Sequence, residues 1–157
     1  MNSRATALNK AKEIRQRLRQ QRKKVVFTNG CFDVLHAGHV TYLEKARGLG
    51  DFLIVGLNSD TSVRKLKGPG RPVISLRERT QILLALRSVD MVVGFSEDTP
   101  LNLIKALQPD ILTKGADYKI GEIVGGREVI GWGGAVRRIP LVKGKSTSTL
   151  LKKIRSL

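Results

Sequence analysis

Two histidines in one short segment have the types and spacing to do chemistry together. His36 and His39 are separated by Ala37 and Gly38. Side chains three residues apart straddle one turn, so both imidazoles can point at the same anion, and Gly38 allows close approach of the backbone. We interpret the pair as catalytic groups that stabilise charge. The structural alternative is a turn residue at position 36 and a helix cap at position 39.

The chemistry that suits this pair is nucleotidyl transfer. In that reaction a phosphate attacks the α-phosphorus of a nucleoside triphosphate, and pyrophosphate leaves. Because the nucleophile is already an anion, the catalyst needs no strong base and must instead stabilise the charge that builds on the phosphoryl oxygens. Imidazole donors, lysines, arginines and Mg²⁺ can all do this.

The histidine pair lies between a predicted strand and a predicted helix. Residues 25–28 form a short apolar run that indicates a buried strand, and residues 39–47 have the apolar spacing of a helix. We name residues 28–39 the histidine segment. Ligands of α/β folds bind at the carboxyl ends of the strands, and a helix N-terminus there offers free N–H groups to a phosphate. The segment therefore predicts a phosphate-binding site.

A second candidate phosphate site is the run of hydroxyl side chains in residues 146–149, Ser-Thr-Ser-Thr. The preceding Gly144 and Lys145 invite comparison with a P-loop, but Ile139 stands where a P-loop needs its first glycine. We interpret the run as a helix start whose hydroxyl groups and amides hold phosphates. A plain N-cap, which needs only one of these hydroxyls, is the alternative.

Three cations lie in residues 65–71, within the polar segment of residues 58–72 that is predicted to be a loop. Lys65, Lys67 and Arg71 are interspersed with glycine and proline. Cations in such a loop can close over a triphosphate, although charge alone favours a solvated surface loop.

Two acidic residues are further candidates. Asp117 and Gly115 follow a predicted strand of residues 110–113, and the Asp117 carboxylate can accept a hydrogen bond from an amine or a hydroxyl. A strand-ending turn explains the same residues equally well. Asp33 can orient a histidine or help to place Mg²⁺, or it can cap the turn. No group of His, Cys and Asp has the spacing of a zinc site.

The histidine segment resembles a family signature. Residues 30–39, Gly-Cys-Phe-Asp-Val-Leu-His-Ala-Gly-His, are similar to the signature of the HxGH nucleotidyltransferases. Over residues 24–157 the chain resembles the adenylyltransferase domain of bacterial ADP-heptose synthase, although Ala116 stands where many relatives have glycine. The segments that carry this resemblance are residues 27–33, 58–60, 66–68, 71–73, 97–100, 114–118 and 145–149.

This resemblance implies an activity. The reaction would transfer AMP from ATP to D-glycero-β-D-manno-heptose 1-phosphate, giving ADP-heptose and pyrophosphate for lipopolysaccharide core synthesis. ATP and the sugar 1-phosphate would be the partners, Mg²⁺ carried by ATP the cofactor, and a homodimer the assembly. The alternative is a cytidylyltransferase or another HxGH nucleotidyltransferase with a different phosphorylated acceptor, because the preference for ATP over CTP rests on the resemblance alone.

The resemblance also assigns roles to the candidate residues. His36 and His39 would stabilise the α-phosphate transition state, with Lys67 as a third catalytic group, while Lys65 and Arg71 would bind phosphate. The candidate nucleotide-binding residues are Thr28, Asn29, Gly30, Phe32, Asp33, Gly38, Gly115, Asp117, Ser146, Thr147, Ser148 and Thr149.

Strands and helices alternate along the chain, which predicts a three-layer, Rossmann-like α/β domain with about five parallel strands. We expect a basic helix in residues 1–23, packed outside a nucleotidyltransferase domain of residues 24–157. The predicted strands are residues 25–28, 52–57, 91–95, 110–113 and 135–139. The predicted helices are residues 5–22, 39–47, 76–88, 99–108, 122–132 and 147–154.

The net charge of +16 is concentrated at the two ends of the chain. Residues 1–24 contain nine Lys and Arg against one Glu, and residues 143–157 contain five against no acid. A basic arm can bind nucleic acid, so a nucleic-acid-binding protein is a second alternative. We favour a solvated helical face, because aromatic residues make up 4% of the chain and none lies in either basic segment to stack on bases.

Other features point to a cytoplasmic protein. No apolar run approaches the roughly 20 residues that a membrane span needs. The first residues lead into a charged stretch without the apolar core of a secretory signal. Cys31 is the only cysteine, so no internal disulfide can form.

Overall fold

The chain folds into alternating strands and helices. The computed structural model describes residues 3–157, with side chains from residue 7 onward, so Met1 and Asn2 of the predicted segment 1–23 lie outside the described residues. The strands are β1 (Val25–Gly30), β2 (Phe52–Asn58), β3 (Met91–Phe95), β4 (Ile111–Gly115) and β5 (Ala135–Ile139). The helices are α1 (Ser3–Gln20), α2 (Ala37–Arg47), α3 (Asp60–Lys67), α4 (Leu76–Leu84), α5 (Leu101–Leu107), α6 (Gly126–Gly131) and α7 (Thr147–Arg155), with a 3-10 helix at Ile120–Glu122.

The five strands form one parallel sheet in the order β3-β2-β1-β4-β5. This arrangement confirms the predicted parallel α/β sheet. β1 pairs with β2 along its whole length, and it pairs with β4 at Val26 and Phe27. The strand order reverses its direction between β1 and β4, and in open α/β sheets the ligand crevice lies at such a point, at the carboxyl ends of the strands.

Helices cover both faces of the sheet, which confirms the three layers. Successive side chains of a strand face opposite sides, so Phe27 packs against α1, α5 and α6 while Val26 packs against α2 and α4. Both side chains are fully buried, and burial of an apolar side chain of this size contributes about 1.5–3 kcal/mol. Within the described residues, no helix is long and apolar enough to cross a membrane.

The N-terminal helix α1 is packed into the core rather than held away from it. Ala11 and Leu18 are buried in the apolar cluster that α1 shares with the sheet. Arg15 is 5% exposed and donates hydrogen bonds to the carbonyl oxygen of Gln108, at 2.9 Å, and to Oδ1 of Asp110, at 3.1 Å. Part of the positive charge of α1 is therefore directed into the protein.

The structure corrects three predicted elements. Residues 58–72, predicted as a loop, contain α3, whose N-cap Ser59 accepts a hydrogen bond from the Ser62 backbone N–H. Residues 122–132, predicted as one helix, are interrupted where Gly125 adopts a φ of 83°, a left-handed value that a helix cannot accommodate. Helix α4 ends at Leu84 instead of continuing to residue 88.

Candidate active site

A cleft of about 570 Å³ lies at the carboxyl ends of the strands. The histidine segment, the end of β4 and the start of α7 form its walls. Of the candidate residues, the cleft is lined by Asn29, Gly30, Phe32, Asp33, His36, Gly38, His39, Lys67, Arg71, Gly115, Asp117, Ser146, Thr147 and Ser148. Thr28, Lys65 and Thr149 are not among its lining residues.

The two histidines stack at the N-terminus of α2. His36 is the N-cap residue, and its ring centroid lies 3.9 Å from that of His39, with 25° between the ring planes. The backbone N–H of His36 donates to Nδ1 of His39 at 3.3 Å. Because Nδ1 accepts this bond, the neutral His39 ring carries its proton on Nε2. His39 is thus a hydrogen-bond donor through Nε2.

Both imidazoles are held in the neutral form at pH 7. Burial, followed by the neighbouring His36, lowers the pKa of His39 from 6.5 to about 4. Burial, followed by the positive charge of Lys145, lowers the pKa of His36. Two neutral rings can donate hydrogen bonds to an anion without carrying charge, and the first N–H groups of α2 add a partial positive charge beside them.

Gly38 leaves the space that the His36 ring needs. A Cβ atom on residue 38 would lie 2.8 Å from Cε1 and 2.9 Å from Nδ1 of His36, and 3.0 Å from Cβ of Lys145. Carbon atoms do not approach so closely without displacement of a neighbour. The glycine therefore allows the His36 ring and Lys145 to lie directly against the first turn of α2.

Asp33 anchors a neighbouring loop. Its side chain is 1% exposed, and it accepts hydrogen bonds from Nε of Arg71 at 2.6 Å and from the backbone N–H groups of Val73 and Ile74 at 2.9 Å. Burial disfavours the charged carboxylate, but these hydrogen bonds outweigh it and hold the pKa of Asp33 below its ordinary value. The carboxylate is thus directed at residues 71–74.

The three candidate cations occupy different places. Lys67 lies in the last turn of α3 and lines the cleft. Arg71 also lines the cleft, with its Nε bound to Asp33. Lys65 does not itself line the cleft, but its Nζ lies 3.6 Å from Oδ1 of Asp98, which does, and both side chains are largely exposed. Lys67 and Arg71 therefore line the cleft directly, and Lys65 contacts it through Asp98.

The hydroxyl run begins helix α7 and is tied to the histidine segment. Ser146 is the N-cap, and its Oγ accepts a hydrogen bond from the Thr149 backbone N–H at 3.0 Å. The Thr147 hydroxyl donates to the carbonyl oxygen of Val34 at 3.0 Å. The Thr149 hydroxyl lies 2.7 Å from Ser146 Oγ. The run therefore acts as a helix cap and also brings Ser146, Thr147 and Ser148 to the cleft.

A partly buried lysine near the end of β4 also lines the cleft. Nζ of Lys114 donates to the carbonyl oxygen of Asn29 at 3.3 Å and lies 4.9 Å from the ring centroid of Tyr118. Burial lowers the pKa of Lys114, and the carboxylate of Asp117 opposes this shift. Lys114, Asp117 and Tyr118 all line the cleft, so a cation, an anion and an aromatic ring lie together there.

A fully buried arginine links the loops around the cleft. Arg79 of α4 is 1% exposed, and its guanidinium donates four hydrogen bonds to groups outside α4. The acceptors are the carbonyl oxygens of Ile74 (2.9 Å), Cys31 (2.7 Å) and Asn58 (2.9 Å) and Oδ1 of Asp60 (2.7 Å), with Arg79 Nη1 shared between Cys31 and Asn58. Three separate loops are thus held to one side chain.

Thr28 lies beneath the cleft. It is fully buried, and its Oγ1 lies 2.9 Å from the hydroxyl oxygen of Tyr42.

The described residues contain no group of three or more His, Cys, Asp or Glu side chains that could hold a metal ion.

The sequence of the chain matches a known family. The profile of the cytidylyltransferase-like family covers residues 27–153. The chain belongs to the cytidylyltransferase-like family. It is therefore a nucleotidyltransferase, and the cleft with its stacked histidines is the candidate active site of that enzyme.

Curated relatives of this nucleotidyltransferase are much longer than the chain. It is 56% identical to the bifunctional protein HldE of Methylobacillus flagellatus over 141 residues. This match covers 90% of this chain and 29% of that protein. It is 60% identical to the bifunctional protein HldE of Citrifermentans bemidjiense over 134 residues. This match covers 85% of this chain and 28% of that protein. The chain thus spans less than a third of the length of these relatives.

Two solved structures resemble this nucleotidyltransferase. The lipopolysaccharide core biosynthesis protein from Thermoplasma volcanium superposes with a TM-score of 0.64 at 28% identity, covering 78% of this chain and 99% of that one. The pantoate-β-alanine ligase from Francisella tularensis superposes with a TM-score of 0.63 at 19% identity. This superposition covers 96% of this chain and 76% of that one. The second likeness shows the fold alone.

Several lining residues of the nucleotidyltransferase cleft were not selected from the sequence. The positions of three of them are a usable signal: Asn58 is the last residue of β2, Lys114 is the next to last of β4, and Lys145 precedes the hydroxyl run. The others reach the cleft through tertiary packing. The unselected lining residues are Cys31, Tyr42, Asn58, Leu66, Asp98, Pro100, Lys114, Tyr118, Leu141, Val142 and Lys145.

Proposed function

We propose that this nucleotidyltransferase transfers AMP from ATP to D-glycero-β-D-manno-heptose 1-phosphate, forming ADP-heptose and pyrophosphate for lipopolysaccharide core synthesis. The observation that carries the proposal is the pair of neutral, stacked histidines at the N-terminus of α2, facing a cleft lined by lysines and hydroxyl groups. The identity to the HldE proteins supports the choice of substrates, as does the likeness to a lipopolysaccharide core biosynthesis protein.

The reaction needs charge stabilisation more than proton transfer. A phosphate oxygen of the sugar phosphate forms a bond to the α-phosphorus of ATP, and the bond from that phosphorus to the bridging oxygen of the β-phosphate breaks. The leaving pyrophosphate keeps the electron pair of that bond. Because the attacking oxygen is already ionised, two neutral histidines suit the site better than a strong base would.

Named groups can stabilise the charge on the transferred phosphoryl group. Nε2–H of His39 and the free N–H groups at the start of α2 donate to its oxygens. Lys67 and Arg71 neutralise the triphosphate from the side of α3, and Lys145 acts from the side of α7. The Ser146 hydroxyl and the first backbone N–H groups of α7 donate further hydrogen bonds at the helix start, where the dipole favours an anion.

Mg²⁺ fits this cleft as a companion of the triphosphate. Mg²⁺ is commonly held by one or two carboxylates together with substrate phosphates and water, and the described residues offer no dedicated cluster of ligands. Asp33 is occupied by Arg71 and two backbone N–H groups. When bound to the triphosphate, Mg²⁺ would neutralise charge on the β- and γ-phosphates. Asp117 and Asp98 are the carboxylates of the cleft that could contact it.

The experiment that tests the proposal is pyrophosphate release in the presence of Mg²⁺. ATP and CTP are each supplied with D-glycero-β-D-manno-heptose 1-phosphate, with its α-anomer, or with glycerol 3-phosphate. We expect release with ATP and the β-heptose phosphate. Release with CTP, or with another acceptor only, would keep the reaction class and discard the heptose assignment. If a folded protein that binds ATP releases no pyrophosphate in any combination, the proposal is refuted.

The alternative of nucleic-acid binding has its own test. Lys10, Lys12 and Arg17 are exposed on α1, whereas Arg15 is buried. Replacement of the three exposed cations by glutamine leaves the core contacts of α1 intact. A nucleic-acid-binding protein would lose steeply salt-dependent RNA or DNA affinity in this variant. The nucleotidyltransferase proposal expects unchanged pyrophosphate release.

A further inference from the structure

A buried hydroxyl network joins the histidine helix to two strands. Tyr42 lies on α2 one turn after His39. Its hydroxyl oxygen is 2.9 Å from Oγ1 of Thr28 on β1, and it donates to Oγ1 of Thr113 on β4 at 3.2 Å. Thr28 and Thr113 are fully buried, and Tyr42 is 8% exposed. The three hydroxyl groups therefore connect three elements beneath the cleft.

This network lies where β1 and β4 stop pairing. Their backbone pairing includes Val26 with Ile111 and ends with Phe27 and Leu112, one residue before the two threonines. β1 continues to pair with β2 beyond that point. Beyond the last β1–β4 backbone pair, the hydroxyl groups of Thr28 and Thr113 form the hydrogen bonds that connect the two strands. The network thus occupies the divergence at which the cleft begins.

The donors and acceptors of the network form a consistent chain. The Thr113 hydroxyl donates to the carbonyl oxygen of Phe27 at 3.5 Å, and the Thr28 hydroxyl is within 3.3 Å of the Thr113 carbonyl oxygen. Tyr42 therefore supplies the proton for its bond to Thr113, and the single Thr28 proton goes either to the Tyr42 hydroxyl oxygen or to the Thr113 carbonyl oxygen. Burial raises the pKa of Tyr42, which keeps this hydroxyl protonated as a donor.

We propose that the Tyr42 hydroxyl is a positioning group for nucleotidyl transfer, which fixes α2 and its two histidines relative to the diverging ends of β1 and β4. Tyr42 and His39 are three residues apart on one helix face, so a shift at Tyr42 moves His39 with it. The hydroxyl itself points into the sheet and acts through the histidines. A displacement of about 1 Å in such a group can cost about 10²-fold in rate. The proposal rests on the proposed transfer reaction at this cleft.

The first test compares kinetics of hydroxyl deletions. Tyr42→Phe and Thr113→Val each remove one partner and keep the shape of the side chain. We expect each to lower kcat about 10-fold with less than about a 2-fold change in KM for ATP. The double variant should match the single variants rather than multiply them, because the hydroxyls act as one unit. Thr113→Ser, which keeps the hydroxyl, should restore kcat.

The matched control is Thr80→Val. The Thr80 hydroxyl is also partly buried and donates to a carbonyl oxygen, that of Leu76, but it lies on α4 away from the cleft. A loss of stability alone would lower Tm in all variants, including this control, without lowering kcat well below Tm. We expect the control to keep wild-type kcat.

A second measurement needs no substrate. The chain has two histidines, so the ring nitrogens of His39 can be assigned in ¹⁵N NMR spectra with a His36→Gln variant. Tyr42→Phe and Thr113→Val should move the His39 signals, and Thr80→Val should not. Unchanged His39 signals, or wild-type kcat in both variants, would overturn the proposal. If the heptose phosphate proves not to be a substrate, the proposed function fails, while the histidine signals still decide the role of Tyr42.

Discussion

Nε of Arg71 lies 2.6 Å from Oδ2 of Asp33 in a nearly buried ion pair at the edge of the cleft. The same carboxylate accepts the backbone N–H groups of Val73 and Ile74, so one side chain of the histidine segment holds a loop some 40 residues further along the chain. With Nε engaged, the outer nitrogens of Arg71 are left to face an anion in the cleft. Asp33 therefore orients a candidate phosphate-binding cation.

We predict that Asp33→Asn lowers kcat/KM about 10²-fold without changing the Mg²⁺ concentration that gives half-maximal activity. The amide cannot accept three hydrogen bonds as the carboxylate does, so residues 71–74 and Arg71 lose their fixed place. Activity is measured as a function of Mg²⁺. Asp51→Asn, whose carboxylate bonds the Lys24 backbone N–H outside the cleft, is the matched control. A raised requirement for Mg²⁺ would assign Asp33 to the metal instead.

We predict that His39→Ala lowers turnover at least about 10²-fold. The substitution removes the Nε2 donor and the ring that stacks on His36, and loss of a preorganised donor to a phosphoryl oxygen typically costs about this much. Saturating kinetics separate this loss from weaker substrate binding. A variant with near wild-type turnover would remove His39 from the catalytic groups.

The protonation of His39 gives a prediction about pH. Its folded-state pKa of about 4 lies below the ordinary 6.5, so between these values the unfolded chain binds a proton that the folded protein does not. The free energy of unfolding is therefore highest, as far as His39 determines it, above about pH 6.5, and it falls as the pH drops toward 4. We expect the ring nitrogens of His39 to titrate near 4 in ¹⁵N NMR spectra, with no rate-limiting deprotonation near pH 6.5. A midpoint near 6.5 would contradict the neutral-donor role.

Gly38 allows a test of the close packing around the histidines. We predict that Gly38→Ala leaves the protein folded and lowers kcat at least about 10-fold. The new Cβ would lie 2.8 Å from Cε1 of His36, so the His36 ring must move away from its place. Gly121→Ala is the control, since a Cβ there meets no atom within 4 Å. Circular dichroism and kinetics are compared for both variants. Equal activity of the two would show that the position of the His36 ring is unimportant.

The sequence predicted the sheet because buried parallel strands are continuous apolar runs, as in residues 52–57 and 91–95. Helix α3 was missed because its apolar residues, Val63 and Leu66, are surrounded by cations, and its N-cap Ser59 was not recognised as a start signal. The sequence of residues 122–132 does not reveal that the helix begins only at Gly126. Several glycines lie in this range, and only Gly125 adopts the left-handed φ of 83° at the N-cap.

The cleft was predictable where it is local in sequence. The histidine segment and the hydroxyl run each present their groups within a few consecutive residues. Lys65 and Lys67 could not be separated in this way, because side chains two apart on a helix face different directions and only the placement of α3 selects one of them. Arg79 was missed because its partner Cys31 lies 48 residues away, a distance that no local pattern reports.

Arg79 leads to the last prediction, which concerns stability. Arg79→Met removes donors from three buried or partly buried carbonyl oxygens and from Asp60, so we expect a loss of about 3 kcal/mol in the free energy of unfolding and a Tm lower by about 6–12 °C. Arg77→Met on the same helix is the control, because Arg77 is exposed. Chemical denaturation gives the difference. If both variants unfold alike, the loops around the cleft do not depend on Arg79, and packing of the sheet alone holds them in place.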